Sequence, residues 1–316
     1  AGWMTCSSSW IGGSAVIDSE RFNPMPVRAR GADLSGRAGF SLVELLVVIA
    51  VVGVLVSILM PALAAAKKAG RAAVCSSNVR QLALANAEYA NDYTECYAPA
   101  MAERAVNLRR WHGARTSPGL AFTPEGGSLT PYLGSGDRAS LGVRTCPEFT
   151  PAAEALVIAT GAFERSCGGY GYNSAYVGTR LREESKGAWS ILDDRCGSPA
   201  HQFRSPERTI AFADAAFAGG VSTGSPDGLI EYSFVEPRFW PQFPNERADP
   251  SMHFRHGKSA GSRVGSGSAQ VAYLDGHAES AGRTKVWSSG FYDADPAPLG
   301  IGWTGTNDDN ALFDFE

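Results

Sequence analysis

Three histidines and two aspartates in the C-terminal half of the chain have the side-chain types that bind zinc: His253, His256, His277, Asp214 and Asp275. Imidazole and carboxylate groups are usual zinc ligands, and the spacing of His253 and His256 can place both on one face of a helical turn. Pro250 and the aromatic residues near it argue against a stable helix, however, and the chain has no H-E-x-x-H motif. We therefore interpret these histidines as structural hydrogen-bonding residues, with an anchored metal-dependent enzyme as the alternative.

Other signals for catalysis or ion binding are weak. Four aspartates near the C-terminus could hold calcium without forming a D-x-D-x-D-G loop: Asp293, Asp295, Asp308 and Asp309. The chain has no phosphate-binding loop of the G-x-x-x-x-G-K-[ST] type. We expect that it is not an enzyme and needs no cofactor, with a structural metal ion as the alternative.

Five of the six cysteines lie beyond residue 70, and no two of them form a C-x-x-C pair: Cys75, Cys96, Cys146, Cys167 and Cys196. Zinc-thiolate and thioredoxin-like sites therefore have no support from the spacing. Disulfides persist in oxidising compartments, but spacing does not choose among the pairings open to five cysteines. We mark Cys75, Cys146 and His256 as candidate structural residues.

The element that precedes these residues is an almost uncharged run from Phe40 to Ala66, interrupted by Glu44 near its start and Pro61 near its end. About 20 apolar residues cross a bilayer as a helix, so we predict a transmembrane helix at 40–66. A carboxylate inside such a helix costs about 2.5–3.5 kcal/mol on insertion scales. We therefore expect Glu44 to have a charged partner.

Two other classes of segment could explain the apolar run. A secretory signal peptide, cleaved near Ala62-Leu63-Ala64, would have an apolar core of about 7–15 residues, which is shorter than this run. It would also leave Glu44 unexplained. A plain signal anchor explains the span, but it does not explain Gly39, Glu44 and Pro61 together.

Those residues, with Phe40, resemble the processing site and first helix of type IV pilins and type II secretion pseudopilins. Counted from Phe40, Glu44 is the fifth residue and Pro61 the twenty-second, which is the register of that family. The resemblance implies that prepilin peptidase cuts after Gly39 and methylates the new N-terminus at Phe40. It also implies three partners, namely this peptidase, other pilin-like subunits and the inner-membrane assembly machine.

The chemistry of Glu44 and Pro61 suits assembly. In a helix, Glu44 lies about 6 Å from the amine that cleavage creates at Phe40. Carboxylate and ammonium can neutralise each other, within one subunit or between a new subunit and the one ahead of it. We predict that this pairing sets the docking register of a filament. Pro61 is expected to kink or loosen the helix, and its alternative role is to end the span.

Positive charges flank the apolar run on both sides and do not orient it by themselves: Arg21, Arg28, Arg30 and Arg37 precede it, and Lys67, Lys68 and Arg71 follow it. The resemblance places the cleavage reaction, and therefore the leader at 1–39, on the cytoplasmic side. Met25 is the alternative start of this leader. The chain would cross the inner membrane once and export the rest to the periplasm or the cell surface.

The helix should continue through 67–94, because this stretch lacks proline and is rich in helix-forming Ala, Leu, Lys and Arg. Four residues form an apolar stripe at helical spacing, which we interpret as core packing: Leu82, Ala85, Tyr89 and Tyr93.

From 95 to 316 the helical pattern gives way to a globular domain with short strand-like runs: Thr209–Ala213, Leu229–Val235, Gln270–Leu274 and His277–Ala281. Asp275 and Gly276 predict a structural two-residue hairpin turn, because both positions of such a turn favour positive φ. Strands after one long helix predict an α+β fold, with the N-terminal helix packed on an antiparallel β-sheet.

Seven motifs of this domain resemble a group of pilin-like proteins with a processing-associated domain: Leu129-Thr130-Pro131-Tyr132-Leu133, Cys146-Pro147, Tyr170-Gly171-Tyr172-Asn173, Pro206-Glu207-Arg208-Thr209, Phe212-Ala213-Asp214, Phe254-Arg255-His256 and Asp275-Gly276-His277. That domain is named for a histidine, a spacer of roughly nine residues and Asp-Gly. The spacer here, Gly257 to Leu274, is longer and contains a Gly/Ser-rich insertion at Ser259–Ser268. The longer spacer therefore gives no support to a direct contact between His256 and Asp275.

The net charge is −4 without a large basic block, so we expect no nucleic-acid partner. One basic cluster, which we expect to be solvated surface, surrounds Trp111: Arg104, Arg109, Arg110 and His112.

Taken together, these features predict a pilin-like or pseudopilin subunit. Its first rival is a membrane-tethered surface-binding module that does not polymerise.

Overall fold

The computed structural model describes residues 41–134, 143, 145–149, 166–185, 188–218, 229–257, 267–287 and 295–316. The expected leader at 1–39, its alternative start Met25 and the processing residues Gly39 and Phe40 lie outside the described residues. Asp293 and most of the Gly/Ser-rich insertion also lie outside them.

One long helix, α1, spans Leu42–Asp92 and confirms the expected N-terminal helix. Pro61 lies inside it. The helix ends where Thr94 and Glu95 take positive φ angles of 52° and 62°. The Glu95 N–H then donates to the carbonyl of Ala90 at 2.8 Å, so one of the last helical carbonyls is satisfied. The chain divides into two units between Val56 and Ser57, inside α1.

Fourteen short strands and two 3₁₀ turns follow α1 in the described ranges. The turns span Thr130–Tyr132 and Ala200–Gln202. The strands are β1 (Arg109–Arg110), β2 (Gly113–Ala114), β3 (Tyr170–Tyr172), β4 (Arg180–Ser185), β5 (Ala188–Asp193), β6 (Ile210–Asp214), β7 (Phe217–Ala218), β8 (Leu229–Ile230), β9 (Phe239–Trp240), β10 (Phe243–Arg247), β11 (Met252–His253), β12 (Ser268–Tyr273), β13 (Ala278–Gly282) and β14 (Ile301–Gly302).

The second unit is organised around a four-stranded antiparallel sheet in the order β13-β12-β6-β3. All five residues of β6 are buried, which is why its sequence is apolar except for Asp214. The rings of Tyr172 and Phe212 stack at 4.6 Å on neighbouring strands, and Trp111 meets Phe212 edge to face. These large buried side chains form the centre of the core.

The C-terminal half of α1 is held on this sheet by side-chain amides as well as by apolar contacts. The Asn78 amide donates to the Tyr170 hydroxyl at 3.0 Å, and the Asn86 amide donates to the Tyr172 hydroxyl at 3.0 Å. Asn78 and Asn86 share the buried face of α1 with Leu82. Tyr170 and Tyr172 occupy alternate positions of β3, and both contact asparagines on the same face of α1. Both contacts form in only one register of the helix on the sheet. The result is the predicted α+β architecture, a layout consistent with the pilin fold.

Two expectations about the domain are wrong. Leu229–Val235 is not one strand, because β8 covers only Leu229–Ile230 and Phe234 forms an isolated bridge to Tyr172. The basic cluster is also not solvated surface as a whole. Arg110, Trp111 and His112 are buried. The Arg110 guanidinium lies 4.8 Å from the centre of the Phe234 ring, so an aromatic face stabilises a cation that spacing alone would place in water.

Candidate functional site

The N-terminal end of α1 is a capping box built from Ser41 and Glu44. The Glu44 Oε2 atom accepts a hydrogen bond from the Ser41 backbone N–H at 2.8 Å. In return, the Ser41 Oγ atom accepts one from the Val43 N–H at 3.3 Å. An S-x-x-E signature of this kind satisfies two backbone donors that a helix start leaves unpaired. Our sequence analysis missed this role, although the signature is visible at 41–44.

This cap gives Glu44 a local partner next to the predicted cleavage site. The carboxylate reaches back to the backbone of Ser41, the residue that directly follows Phe40. The pairing of Glu44 with the Phe40 amine stays a prediction, because Phe40 lies outside the described residues. Pro61, the second predicted assembly residue, lies seventeen positions further along α1.

The first half of α1 exposes its apolar side chains. An 18-residue stretch of this helix that is apolar enough to cross a membrane is entirely unburied. Large side chains such as Leu42 and Ile58 are 78% and 69% exposed. A water-facing surface of this kind is unfavourable at roughly 25 cal/mol per Å², whereas a bilayer or neighbouring apolar helices would cover it. The segment is thus suited to an apolar environment.

The Asp275-Gly276 hairpin joins β12 to β13 with a geometry that differs from the expectation. The Tyr273 N–H donates to the His277 carbonyl, and the Gly276 N–H donates to the Tyr273 carbonyl, both at 3.0 Å. The loop therefore contains three residues, 274–276. Gly276 has a φ of +88°, and Asp275 is not among the residues with positive φ. The expected two-residue turn with two positive φ angles is wrong.

A tertiary contact explains the longer loop. The Leu274 N–H donates to the Thr209 carbonyl at 3.0 Å, and the Asp275 N–H donates to the Pro206 carbonyl at 3.3 Å. These bonds attach the loop to the segment before β6, so the local turn preference does not decide its length. A three-residue loop closed by a left-handed glycine is the next common hairpin type.

The Asp275 side chain stabilises this exposed hairpin through contacts with His277. Its Oδ1 atom accepts from the His277 backbone N–H at 3.0 Å and lies 2.6 Å from His277 Nδ1. Partial burial acts to raise the pKa of Asp275, but the hydrogen bonds and the charge of His277 lower it, and the net direction is downward. The His277 ring stacks on Tyr273. These contacts support the interpretation of Asp275 and Gly276 as structural residues.

We expect Gly276→Val to destabilise the domain by about 2–3 kcal/mol, because a β-branched residue is strained at positive φ. Its Cβ would also lie 3.0 Å from Leu84 Cδ2. The matched control is Gly282→Val at the end of β13, where an added Cβ meets nothing within 4 Å. Asp275→Asn should change stability by less than about 1 kcal/mol, since Asn keeps the acceptor. Thermal unfolding of the full chain in detergent micelles measures all three, and equal losses for the two glycine variants would contradict the prediction.

A second cluster of chemically active groups is buried between the sheet and α1, with His256 at its centre. The His256 Nε2 atom lies 2.9 Å from Asp214 Oδ2, and its Nδ1 atom lies 2.7 Å from Glu148 Oε2. Arg255 Nη2 is 3.1 Å from the other oxygen of Asp214. Arg71 Nε is 3.3 Å from Glu148 Oε1. His256 and Asp214 are 1% and 0% exposed in their side chains, so each charge is matched by a partner that is close to it.

Cys75 and Cys146 border this cluster and form a disulfide that spans 71 positions of the chain. Cys75 lies on α1, and the Cys146 Sγ atom is 3.8 Å from His256 Nε2. The bridge therefore brings two of the candidate structural residues to the third. The unfolded-chain model gives a loop of this length a stabilisation of about 4 kcal/mol. Cys96, Cys167 and Cys196 take no part in this disulfide.

The zinc set that the sequence suggested is divided among three places. His256 meets Asp214 in the buried cluster, whereas His277 contacts Asp275 on the exposed hairpin. His253, on β11, packs edge to face against Phe149. His256 thus contacts Asp214, a member of the predicted set, and Glu148, which the sequence did not single out.

Three of the four aspartates considered for calcium lie in the described residues, and each of the three has other contacts. Asp308 forms ion pairs with Arg238 and Arg247. These arginines lower the pKa of the Asp308 carboxyl, chiefly through the Arg238 hydrogen bond. Asp295 and Asp309 accept backbone N–H groups two residues further along the chain.

Residues 34–60 match the family model described as "Prokaryotic N-terminal methylation motif". Comparisons of the chain with curated proteins and with solved structures give no significant match. The matched segment contains the predicted processing residues, the capping box and the exposed apolar part of α1. It supports a type IV pilin-like protein that is a substrate of prepilin peptidase. Together with an apolar helix that begins at Leu42, the one helix long and apolar enough to span a membrane in the described part of the chain, it fits a single-pass anchor in the inner membrane.

Proposed function

We propose that this chain is a pilin-like subunit that assembles through α1 into a pseudopilus or pilus after cleavage behind Gly39. The observation that carries the proposal is a methylation motif at 34–60 that continues into an apolar helix with Glu44 in its first turn. Cleavage creates an amine at Phe40. The Glu44 carboxylate, which can neutralise that amine, accepts a hydrogen bond from the next residue, Ser41.

The exposed apolar surface supports assembly as well as anchoring. A helix that is unburied over its apolar stretch needs a bilayer, other subunits, or both in turn. A subunit that leaves the bilayer for a filament exchanges lipid contacts for contacts with neighbouring helices. Charge neutralisation at Glu44 selects the register in which those helices meet, because an unpaired carboxylate in an apolar environment is costly.

For location, we propose a cytoplasmic leader and an exported domain. The Cys75–Cys146 disulfide supports export, since disulfides persist in the periplasm and at the cell surface. We further propose that the role is structural and not enzymatic. His277 and Asp275 contact each other within a hairpin, and Asp308 pairs with arginines. Such contacts stabilise the fold of a domain, which supports a structural role for these side chains.

The identity of the mature N-terminus tests the proposal. Mass spectrometry of the protein from membranes should find N-methylated Phe40 as the first residue. Gly39→Leu should block cleavage and leave the precursor in the membrane, because the side chain would occupy the site that holds glycine. The matched control is Gly36→Leu in the same leader, which should be cut normally.

Two results would contradict the proposal. An N-terminus at Ala65 would indicate cleavage by signal peptidase and a product without the membrane helix. Correct cleavage without any filament, under conditions in which the assembly machine is present, would favour the membrane-tethered binding module.

A further inference from the structure

We propose that Cys75, Cys146, His256 and Asp214 form a four-ligand site for Zn²⁺ when the Cys75–Cys146 disulfide is reduced. The same two cysteines would then link α1 to the segment before β3 in either of two ways, through a covalent bond or through a metal ion. This inference does not depend on filament assembly.

The four ligand atoms are already close together. One ligand atom from each residue lies within 4.8 Å of all the others. His256 Nε2 is 3.8 Å from Cys146 Sγ and 2.9 Å from Asp214 Oδ2. Ligand atoms of a tetrahedral zinc ion are about 3.3–3.8 Å apart, given bond lengths of about 2.0–2.3 Å. The ion would lie between His256 Nε2 and Asp214 Oδ2, and small side-chain shifts would suffice.

Residues behind the ligands hold them in orientation. Glu148 Oε2 lies 2.7 Å from His256 Nδ1, so the proton of the ring is held there and Nε2 is left to bind the metal. The Gln270 backbone N–H donates to Asp214 Oδ2 at 2.7 Å. A carboxylate behind a ligating histidine is a recurrent feature of zinc sites, and here it is already formed.

The local charges also match a divalent ion. Two thiolates and Asp214 contribute three negative charges, and Zn²⁺ contributes two positive ones. The Arg255 guanidinium, 3.1 Å from Asp214 Oδ1, supplies the remaining positive charge. Because the four ligand residues are buried, an unbalanced charge would be costly, and this set is balanced.

The oxidised and metal-bound states exclude each other, since a disulfide removes two of the four ligands. Conversion requires a disulfide donor of the thiol-exchange class. The two thiolates lose two electrons and form their S–S bond. The donor disulfide takes these electrons with two protons from solvent and becomes two thiols. Zn²⁺ leaves without a change in its own oxidation state.

Metal titration of the full chain in detergent tests the site. The reduced, chelator-treated chain should bind one equivalent of Co²⁺, with the strong visible absorption of a tetrahedral thiolate complex, and Zn²⁺ should displace it. The oxidised chain should not bind. His256→Gln and Cys146→Ser should each weaken binding by at least tenfold, as should loss of the supporting carboxylate in Glu148→Gln. Cys96→Ser and His277→Gln are matched controls outside the set and should bind like the wild type.

A second measurement, the rate of thiol alkylation, needs only the wild-type chain and therefore tests the site even if a variant folds poorly. In the reduced wild-type chain, one equivalent of Zn²⁺ should slow alkylation of Cys75 and Cys146 at least tenfold without protecting Cys96. Mass spectrometry of the peptides reports each rate. Three results would overturn the proposal, namely alkylation that Zn²⁺ does not alter, stoichiometric binding by the oxidised chain, and undiminished binding in His256→Gln.

Discussion

Glu44→Gln should abolish most filament formation while leaving the mature subunit in the membrane. The substitution keeps a side-chain acceptor for the Ser41 N–H, and glutamine is as suitable as glutamate in a capping box. It removes the negative charge that we propose pairs with the Phe40 amine. Because about 1.4 kcal/mol corresponds to a tenfold change in an equilibrium, loss of this pairing should lower filament yield by roughly tenfold or more. Filaments sheared from cells and mature monomer in membranes are measured by immunoblotting.

Two further variants separate charge from helix capping. Glu44→Ala removes both, so insertion and cleavage should continue while filaments are lost. Ser41→Ala removes the hydroxyl that accepts from the Val43 N–H at 3.3 Å but keeps the charge. It should cost about 0.5–2 kcal/mol of helix stability and leave filaments in place. If Glu44→Gln assembled normally and Glu44→Ala did not, Glu44 would act as a cap and not as a charge partner.

Asn173→Ala should destabilise the globular domain by about 3–5 kcal/mol. The Asn173 side chain is fully buried and makes three hydrogen bonds. Its amide donates to the carbonyls of Ile210 and Phe313, both at 2.9 Å, and its Oδ1 atom accepts from the Tyr176 N–H at 3.2 Å. Alanine would remove one hydrogen bond from each of these three buried backbone groups. Each such loss costs about 1–3 kcal/mol, and natural domains are stable by only about 5–15 kcal/mol.

Urea unfolding of the full chain in micelles, followed by tryptophan fluorescence, measures this loss, because Trp111 is buried in the core. The matched control is Asn91→Ala on the exposed side of α1, which should change stability by no more than about 0.5 kcal/mol. A loss below about 1 kcal/mol for Asn173→Ala would contradict the account of the three bonds.

The sequence was most informative where one periodic pattern extends over many residues. Composition and spacing predicted a helix to about Tyr93, and α1 ends at Asp92. The alternation around Asp275-Gly276 located β12 and β13 to within one or two residues. The loop between them was less accurate, because its length depends on bonds to Pro206 and Thr209, which are distant in the chain.

The buried cluster could not have been predicted by the same reasoning. Asp214 and His256 are separated by more than forty positions, and Cys75 and Cys146 by 71, so no local motif connects them. The absence of C-x-x-C spacing led us to set aside zinc-thiolate chemistry, yet the fold brings both cysteines to one histidine. Tertiary packing makes this contact, since Asp214 lies on β6 while Cys75 lies on α1.

The Cys75–Cys146 bridge also has a mechanical consequence. Any force that pulls on the globular domain must pass into α1 if the subunit is to stay anchored. Hydrogen bonds such as those from Asn78 and Asn86 to β3 would carry that load only until they break. The disulfide gives the load a covalent route from the segment before β3 directly into the helix. Under tension, the oxidised subunit should therefore extend less than the reduced one before the domain separates from α1.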